Sequence, residues 1–128
     1  MTRVEHHAKA AQNRAFLATI TDIDAWPQWA VTVAFYTALH TVDQLLATLG
    51  QDTGSHSVRE NSLKTLHART LWPSYGPLAV AAHDARYRSV RYFNAKYPPA
   101  TIRNTFLGNF LPTIEREVEK QLRAIDGT

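Results

Sequence analysis

The sequence contains no cysteine, which excludes disulfide bonds, thiolate metal sites and a cysteine nucleophile. It also lacks a glycine-rich phosphate loop and a Gly-x-Ser-x-Gly motif, the signatures of many nucleotide-binding proteins and serine hydrolases. The longest apolar stretch, residues 26–49, is too interrupted by polar residues to cross a bilayer. The N-terminal residues are polar and lack an apolar signal core, so we expect no secretory signal. We therefore expect a cytoplasmic protein with no membrane partner.

The length and composition indicate one globular domain, which we place over residues 1–128. Hydrophobic residues make up 45% of the chain and charged residues 20%, a balance typical of folded proteins rather than disordered ones. The formal net charge of +3 permits an acidic or nucleic-acid partner without requiring one.

Apolar residues recur with helical spacing along most of the chain, and no segment alternates with the period of a strand. We predict an all-α bundle of about five helices, covering roughly residues 2–20, 27–49, 55–68, 73–93 and 99–125. In the first helix the apolar set is Ala8, Ala11, Ala15, Phe16 and Ile20. The second has the clearest stripe, ended by Gly50 and formed by Val31, Phe35, Ala38, Val42, Leu45 and Leu49.

Two local signals concern the start of the third helix and the continuity of the last one. Ser57 and Glu60 have the spacing of a capping box at the start of the third helix, and Ser55 is a competing N-cap. Pro112 lies inside the apolar pattern of the last helix, so we expect it to kink or split that helix.

The second helix has a polar row beside its apolar stripe. Tyr36 and His40 are four residues apart and His40 and Asp43 are three apart, so each pair can touch on the helix surface. Histidine titrates near neutral pH and a carboxylate can orient it, which makes acid–base chemistry one interpretation. The other is a hydrogen-bonded network that fixes helix packing.

His56 and Arg59 form a second candidate group at the start of the third helix. The free backbone N–H groups of a helix N-terminus favour anions, so these side chains could hold a phosphate or carboxylate. The alternative is a joint whose side chains cap the helix and pair locally, with Arg59 meeting an acidic residue elsewhere.

Several segments together resemble small bacterial HEPN-domain proteins, over roughly residues 10–92. The segments that carry the resemblance are Trp29-Ala-Val-Thr-Val-Ala-Phe-Tyr-Thr-Ala-Leu-His, Asp43-Gln-Leu-Leu-Ala, Ser55-His-Ser-Val-Arg, Tyr75-Gly-Pro-Leu and Ala85-Arg-Tyr. The resemblance implies a four- or five-helix, mostly up-and-down bundle that is often a homodimer. It also implies RNA binding or ribonuclease activity in toxin–antitoxin or phage-defence systems, or a partnership with a nucleotidyltransferase or another defence-system protein.

The ribonuclease motif of that family is not matched here. Ribonuclease members carry an arginine followed, after four to six residues, by a histidine. In this chain seven residues separate Arg59 from His67, and no other arginine precedes a histidine at the required spacing. The nuclease site therefore cannot be transferred residue by residue, and the sequence leaves open whether the chain is an enzyme.

A basic and aromatic segment ends the predicted fourth helix. It runs from Arg86 to Tyr97 without an acidic residue; its cations are Arg86, Arg88, Arg91 and Lys96, and its aromatic residues are Tyr87, Tyr92, Phe93 and Tyr97. Cations bind phosphates and aromatic rings stack on bases, so RNA or single-stranded DNA is one partner this pattern favours. Alternatively, the cations complement a helix C-terminus and the aromatic side chains belong to the core or a dimer interface.

Metal ligands are sparse in the sequence. His40 with Asp43 and His56 with Glu60 have spacings that can place two ligands together, but there is no HExxH or HxxxH motif. His6 lies at a helix end that we expect to be frayed. We predict no metal and no cofactor.

The leading hypothesis is thus a HEPN-like module that is RNA-associated or partner-binding. The candidate catalytic residues are Tyr36, His40 and His56, and the candidate phosphate- or nucleic-acid-binding residues are Arg59, Arg86, Arg88 and Arg91. The competing hypotheses are a metal-independent ribonuclease with a non-standard His/Arg site and a purely structural dimerisation protein.

Overall fold

The computed structural model describes residues 1–51, 54–65 and 68–127, and these residues form helices joined by short connections, with no strand among them. The all-α prediction is confirmed. The helices are α1 (Arg3–Thr19), α2 (Pro27–Thr48), α3 (His56–Leu63), α4 (Trp72–Tyr87), α5 (Val90–Lys96), α6 (Pro99–Thr101) and α7 (Leu111–Asp126), with a π-helical segment (Ile102–Phe110) between the last two. The described residues thus contain more helical segments than the four or five predicted.

α2 is the central helix, and it packs against α1, α4 and α7. Its predicted stripe is buried except for a half-exposed Leu49, and Ala34 and Leu46 are buried as well, so the apolar surface is wider than one stripe. Pro27 stands in the first turn, where its missing N–H removes no helical hydrogen bond. At the other end of α2, Gly50 has φ +76°, a left-handed conformation that favours glycine and ends the helix.

α1 forms where predicted, but the side it presents to the core differs from the predicted one. The buried residues are His6, Ala10 and Leu17, whereas Phe16 is 53% exposed. The predicted set followed the alanines, which carry too little apolar surface to decide orientation. A capping box of Thr2 and Glu5 fixes the start of the helix, so His6 lies in an ordered first turn rather than a frayed end.

Ser55, the residue before α3, caps this helix, and the predicted capping box of Ser57 and Glu60 does not form. The Ser55 hydroxyl accepts a hydrogen bond from the backbone N–H of Val58 at 3.2 Å, and Ser55 itself is extended. The helix ends at Leu63, earlier than the predicted Ala68. Leu66 and His67 lie outside the described residues, so the Arg59 to His67 spacing has no structural counterpart here.

The predicted fourth helix is two helices. α4 ends at Tyr87, Arg88 is extended, and the Ser89 hydroxyl caps α5 by accepting from the N–H of Tyr92 at 3.1 Å. A serine that can accept such a bond competes with helix continuation, which explains a break that apolar periodicity does not reveal.

The C-terminal helical segment is continuous from α6 to α7, and the predicted interruption is a change of register. The N–H of Leu111 donates to the carbonyl of Phe106, five residues earlier, as in a π-helix. Pro112 follows directly; it cannot donate to the preceding turn, so the change from π to α register falls where a hydrogen bond is missing in any case. A Cβ on Gly108 would lie 2.8 Å from the Arg103 carbonyl oxygen, so the wide turn requires glycine there.

Among the described helices, none combines the length and the apolar character needed to cross a bilayer. One cluster of buried apolar side chains draws on α1, α2, α3, α4, α5, the π-helical segment and α7, with Leu63 as the member from α3. The polar groups that interrupt this cluster on α2 and α3 define the candidate site.

Candidate functional site

Asp43 of α2 and Arg59 of α3 form a buried ion pair. Arg59 Nε donates to Asp43 Oδ1 at 2.7 Å, and Arg59 Nη2 donates to Asp43 Oδ2 at 2.8 Å. Arg59 is 6% exposed and Asp43 is 2% exposed. Burial disfavours the charged guanidinium, but the hydrogen bonds and charge of Asp43 outweigh that effect and raise the pKa of Arg59. The acidic partner that the packing interpretation required for Arg59 is thus Asp43.

His56 lies beside this pair at the exposed start of α3. Its Nδ1 is 3.2 Å from Arg59 Nη1, and its ring stacks at 6.3 Å, centroid to centroid, on the buried Phe35 of α2. His56 therefore touches both the ion pair and the aromatic residues of α2.

His40 is paired with a residue that the sequence did not place near it. Nδ1 of His40 lies 3.0 Å from Nδ1 of His6 in α1, and the two rings are 5.3 Å apart. Both imidazoles line an open cavity of about 670 Å³, together with Arg3, Asp43 and Arg59. We refer to this cavity as the histidine cleft.

Burial lowers the pKa of both histidines below the ordinary value of 6.5. For His6 desolvation is the largest effect, and the nearby negative charge of Asp43 opposes it. For His40 desolvation is again the largest, and the charge of His6 lowers its pKa further. Both rings are thus favoured as neutral imidazoles at pH 7, each with one nitrogen able to accept a proton or a metal ion.

Tyr36 and Arg86 face each other on a different side of α2. The Arg86 guanidinium lies 5.4 Å from the ring centre of Tyr36, 5.5 Å from that of Phe35 and 5.5 Å from that of Tyr87. Its Nη1 is buried, and among the described residues it has no hydrogen-bond partner. The guanidinium is thus held against three rings, and its charge can attract an anion to this side of α2.

Arg86 also lines a second open cavity, of about 690 Å³, between α2, α3 and α4. Its other aromatic and polar lining residues are Phe35, His56, Glu60, Lys64, Trp72 and His83, so one carboxylate lies among the basic groups. Lys64 Nζ lies 4.5 Å from the Trp72 ring centre. The Trp72 ring reaches this position because Gly76 leaves room: a Cβ there would lie 3.1 Å from the indole. We refer to this cavity as the Trp72 cleft.

The basic and aromatic segment splits into core and surface parts. Phe93 and Tyr97 are buried, as the core interpretation expected, whereas Tyr87 is 69% exposed and Tyr92 is 41% exposed. We define the α4–α5 surface as Tyr87, Arg88, Arg91 and Tyr92, all of which are exposed. The Arg88 guanidinium lies 5.1 Å from the ring centre of Tyr92.

Asp84 is a buried carboxylate that contacts residues next to and within this surface. It accepts hydrogen bonds from Tyr97 at 2.6 Å and from Lys96 at 2.9 Å, and it lies 4.0 Å from Arg88. Burial would raise the pKa of Asp84, but the bonds from Tyr97 and Lys96 outweigh burial and lower it. Lys96 is therefore engaged by Asp84 and does not belong to the α4–α5 surface.

The predicted site residues thus fall into three connected places. His40 and Arg59 line the histidine cleft, His56 and Arg86 line the Trp72 cleft, and Arg88 and Arg91 lie on the α4–α5 surface. Tyr36 joins them through Arg86.

His6 is the residue that the sequence analysis missed. Two signals pointed to it: the Thr2-x-x-Glu5 capping box, and the helical spacing of His6, Ala10 and Leu17 on one face. Its closeness to His40 depends on the packing of α1 on α2, which spacing within one helix does not reveal.

Comparison of the chain with models of protein families, with curated proteins and with solved structures finds no match. The fold and the site define the described residues as a helical bundle with an open cleft lined by histidines and a second, largely apolar cleft next to a basic, aromatic surface. The HEPN resemblance rests on the sequence segments alone.

Proposed function

We propose that the chain is a HEPN-like helical module that binds single-stranded RNA through its α4–α5 surface. The observation that carries the proposal is the exposure of Tyr87 and Tyr92 among arginines. An exposed tyrosine leaves apolar ring surface in water, and stacking on a base removes it from water. The neighbouring guanidinium groups supply charge for the phosphates.

Single-stranded RNA fits this surface better than a duplex does. In a duplex the base faces are already stacked on one another, so exposed tyrosine rings gain contacts only with unpaired bases. Arg91 is exposed, and Arg88 lies against Tyr92, so cation and ring can engage the same nucleotide.

The Trp72 cleft extends the proposed binding path. Tyr87 lies 4.8 Å from His83, ring centre to ring centre, and 5.5 Å from Arg86, and both of these residues line the cleft. A strand crossing the α4–α5 surface can therefore continue past the Arg86 guanidinium into this cleft, where Lys64 lies against Trp72.

The biological setting of the proposal comes from the HEPN resemblance. By that resemblance the module acts as a homodimer in bacterial toxin–antitoxin or phage-defence systems. A nucleotidyltransferase or another defence-system protein is the further partner it implies.

The test is fluorescence anisotropy with labelled oligouridine at low and moderate salt. We expect the wild type to bind with an affinity that falls as salt rises, because phosphate contacts release counterions. Arg91→Ala should weaken binding and reduce the slope of log affinity against log salt by about one. Tyr87→Ala should weaken binding with little change in that slope, because it removes stacking and no charge.

Arg116→Ala is the matched control, since Arg116 is an exposed arginine on α7, outside the α4–α5 surface. It removes the same charge and should leave affinity close to that of the wild type. Equal losses for Arg116→Ala and Arg91→Ala would show non-specific attraction to a basic protein and would overturn the proposal. Absence of binding at low salt would favour the purely structural dimerisation protein.

A second candidate function, metal-independent ribonuclease activity, is favoured by the histidine cleft. A neutral imidazole within 3.0 Å of another, beside Arg3 and an open cavity, has the groups for general acid–base chemistry. Cleavage of mixed RNA in the presence of a chelator, abolished in folded His6→Ala and His40→Ala variants, would support it. Intact binding without cleavage across several RNAs and pH values would support the module.

A further inference from the structure

The histidine cleft contains three side chains whose ligand atoms converge. One nitrogen from each of His6 and His40 and one oxygen of Asp43 all lie within 4.8 Å of one another. His6 comes from α1, and the other two residues come from adjacent turns of α2. Convergence of two imidazoles and one carboxylate is a donor set that divalent first-row transition ions take in proteins.

From this geometry we propose that His6, His40 and Asp43 form a binding site for a divalent transition metal ion, with zinc as the reference ion. The site lies outside the α4–α5 surface and is independent of the RNA binding proposed there. An ion held by His6 and His40 would occupy the nitrogens that the ribonuclease candidate needs, so these two uses of the histidine cleft are alternatives. The bound ion would tie α1 to α2, and the open cavity would leave solvent access to the side of the ion away from the protein.

The distance between the two imidazole nitrogens fits a shared ion. Zinc–nitrogen bonds of about 2.0–2.1 Å put two ligands about 3.3 Å apart in a tetrahedral site, and about 2.9 Å apart at adjacent positions of an octahedral one. The two Nδ1 atoms are 3.0 Å apart. A small shift of either ring suits either geometry.

Asp43 can serve as a ligand while it remains paired with Arg59. Each oxygen of Asp43 accepts one hydrogen bond from Arg59, and each carboxylate oxygen has a second lone pair. The ion pair fixes the orientation of the carboxylate, as hydrogen-bonded neighbours of metal ligands do. It also neutralises the Asp43 charge, so we expect weaker binding than at a site with a free carboxylate.

The same nitrogen distance also suits a hydrogen bond in which one imidazole donates to the other, so the ion and the hydrogen bond are alternatives. The deciding experiment is calorimetric titration of zinc into untagged, chelator-treated protein, with the visible absorption of cobalt as a second probe. We expect one ion per chain and a rise in melting temperature on binding.

The variants are His6→Gln, His40→Gln and the control His7→Gln. His7 is exposed, adjacent in sequence to His6, and outside the cluster. Loss of either ligand should weaken zinc binding more than about 100-fold, since even loss of a supporting neighbour costs 10–100-fold. His7→Gln should bind zinc as the wild type does.

The absence of saturable zinc and cobalt binding by the wild type would overturn the proposal. So would equal weakening by His7→Gln and His6→Gln. If the ligand variants do not fold, X-ray absorption of the zinc-loaded wild type decides instead. Two histidine nitrogens around the ion are expected, and a spectrum with only oxygen ligands would contradict the site.

Discussion

Two hydrogen bonds, of 2.7 and 2.8 Å, join the Arg59 guanidinium to the Asp43 carboxylate in the buried contact between α2 and α3. A buried charge that loses its partner retains its desolvation cost without compensation. This pair therefore fixes α3 on α2 and places His56 beside Phe35. The guanidinium that sequence analysis assigned to phosphate is held by a carboxylate of the chain itself.

Breaking this pair from one side should destabilise the protein strongly. Asp43→Leu or Arg59→Met should each lower the free energy of unfolding by ~3–5 kcal/mol, because each removes the opposite charge from a buried ion pair. The double variant should lose clearly less than the sum of the two. Urea denaturation followed by circular dichroism measures all three. Single variants within about 0.5 kcal/mol of the wild type would contradict the buried pair.

The lowered pKa values of His6 and His40 predict that stability falls in mild acid. In the unfolded chain both histidines take up protons near pH 6.5, whereas in the folded protein burial delays protonation to lower pH. Their contribution to stability is therefore complete above pH 6.5 and is lost as the pH falls through the lowered pKa values.

Melting temperatures between pH 7.5 and 5 measure this effect. The decrease should be smaller in His40→Gln, which has one partly buried titrating imidazole fewer, and unchanged in His7→Gln. A wild-type melting temperature that rises as the pH falls from 7.5 to 5 would show that His6 and His40 do not resist protonation in the folded protein.

The start of α3 offers a matched pair of serines. Ser55→Ala removes the hydroxyl that accepts from Val58 N–H and should cost about 1 kcal/mol of stability. Ser57→Ala should cost much less, because Ser57 is exposed and Ser55 already supplies the cap. Thermal or urea denaturation of both variants gives the comparison. A larger loss of stability in Ser57→Ala than in Ser55→Ala would show that Ser57, and not Ser55, caps the helix.

The sequence predicts the elements of this fold better than it predicts their orientations. The stripe from Val31 to Leu45 identifies α2 because five apolar side chains repeat at intervals of three and four, and all five are buried. α1 is rich in alanine, and alanine gives weak information about which side is buried. The π-helical segment arises from backbone hydrogen bonding, which apolar periodicity does not specify.

The candidate site could be predicted in part, for a similar reason. Spacing within α2 places His40 and Asp43 together. One of the two interpretations of Arg59 expected it to pair with an acidic residue, and that residue is Asp43. The contact of His40 with His6 joins residues 34 positions apart and depends on the packing of α1 against α2. The break at Ser89, which lies between Arg88 and Tyr92, depends on a hydroxyl that can cap a new helix.

The most direct test of the central proposal is to locate bound RNA on the protein. Titration of isotope-labelled protein with oligouridine, followed by amide and arginine side-chain NMR signals, reports each site separately. RNA binding at the α4–α5 surface predicts saturable shifts at Tyr87, Arg88, Arg91 and Tyr92, extending to Arg86, with α7 signals unchanged. Shifts confined to α1 or α7, with the α4–α5 surface unaffected, would contradict the proposal.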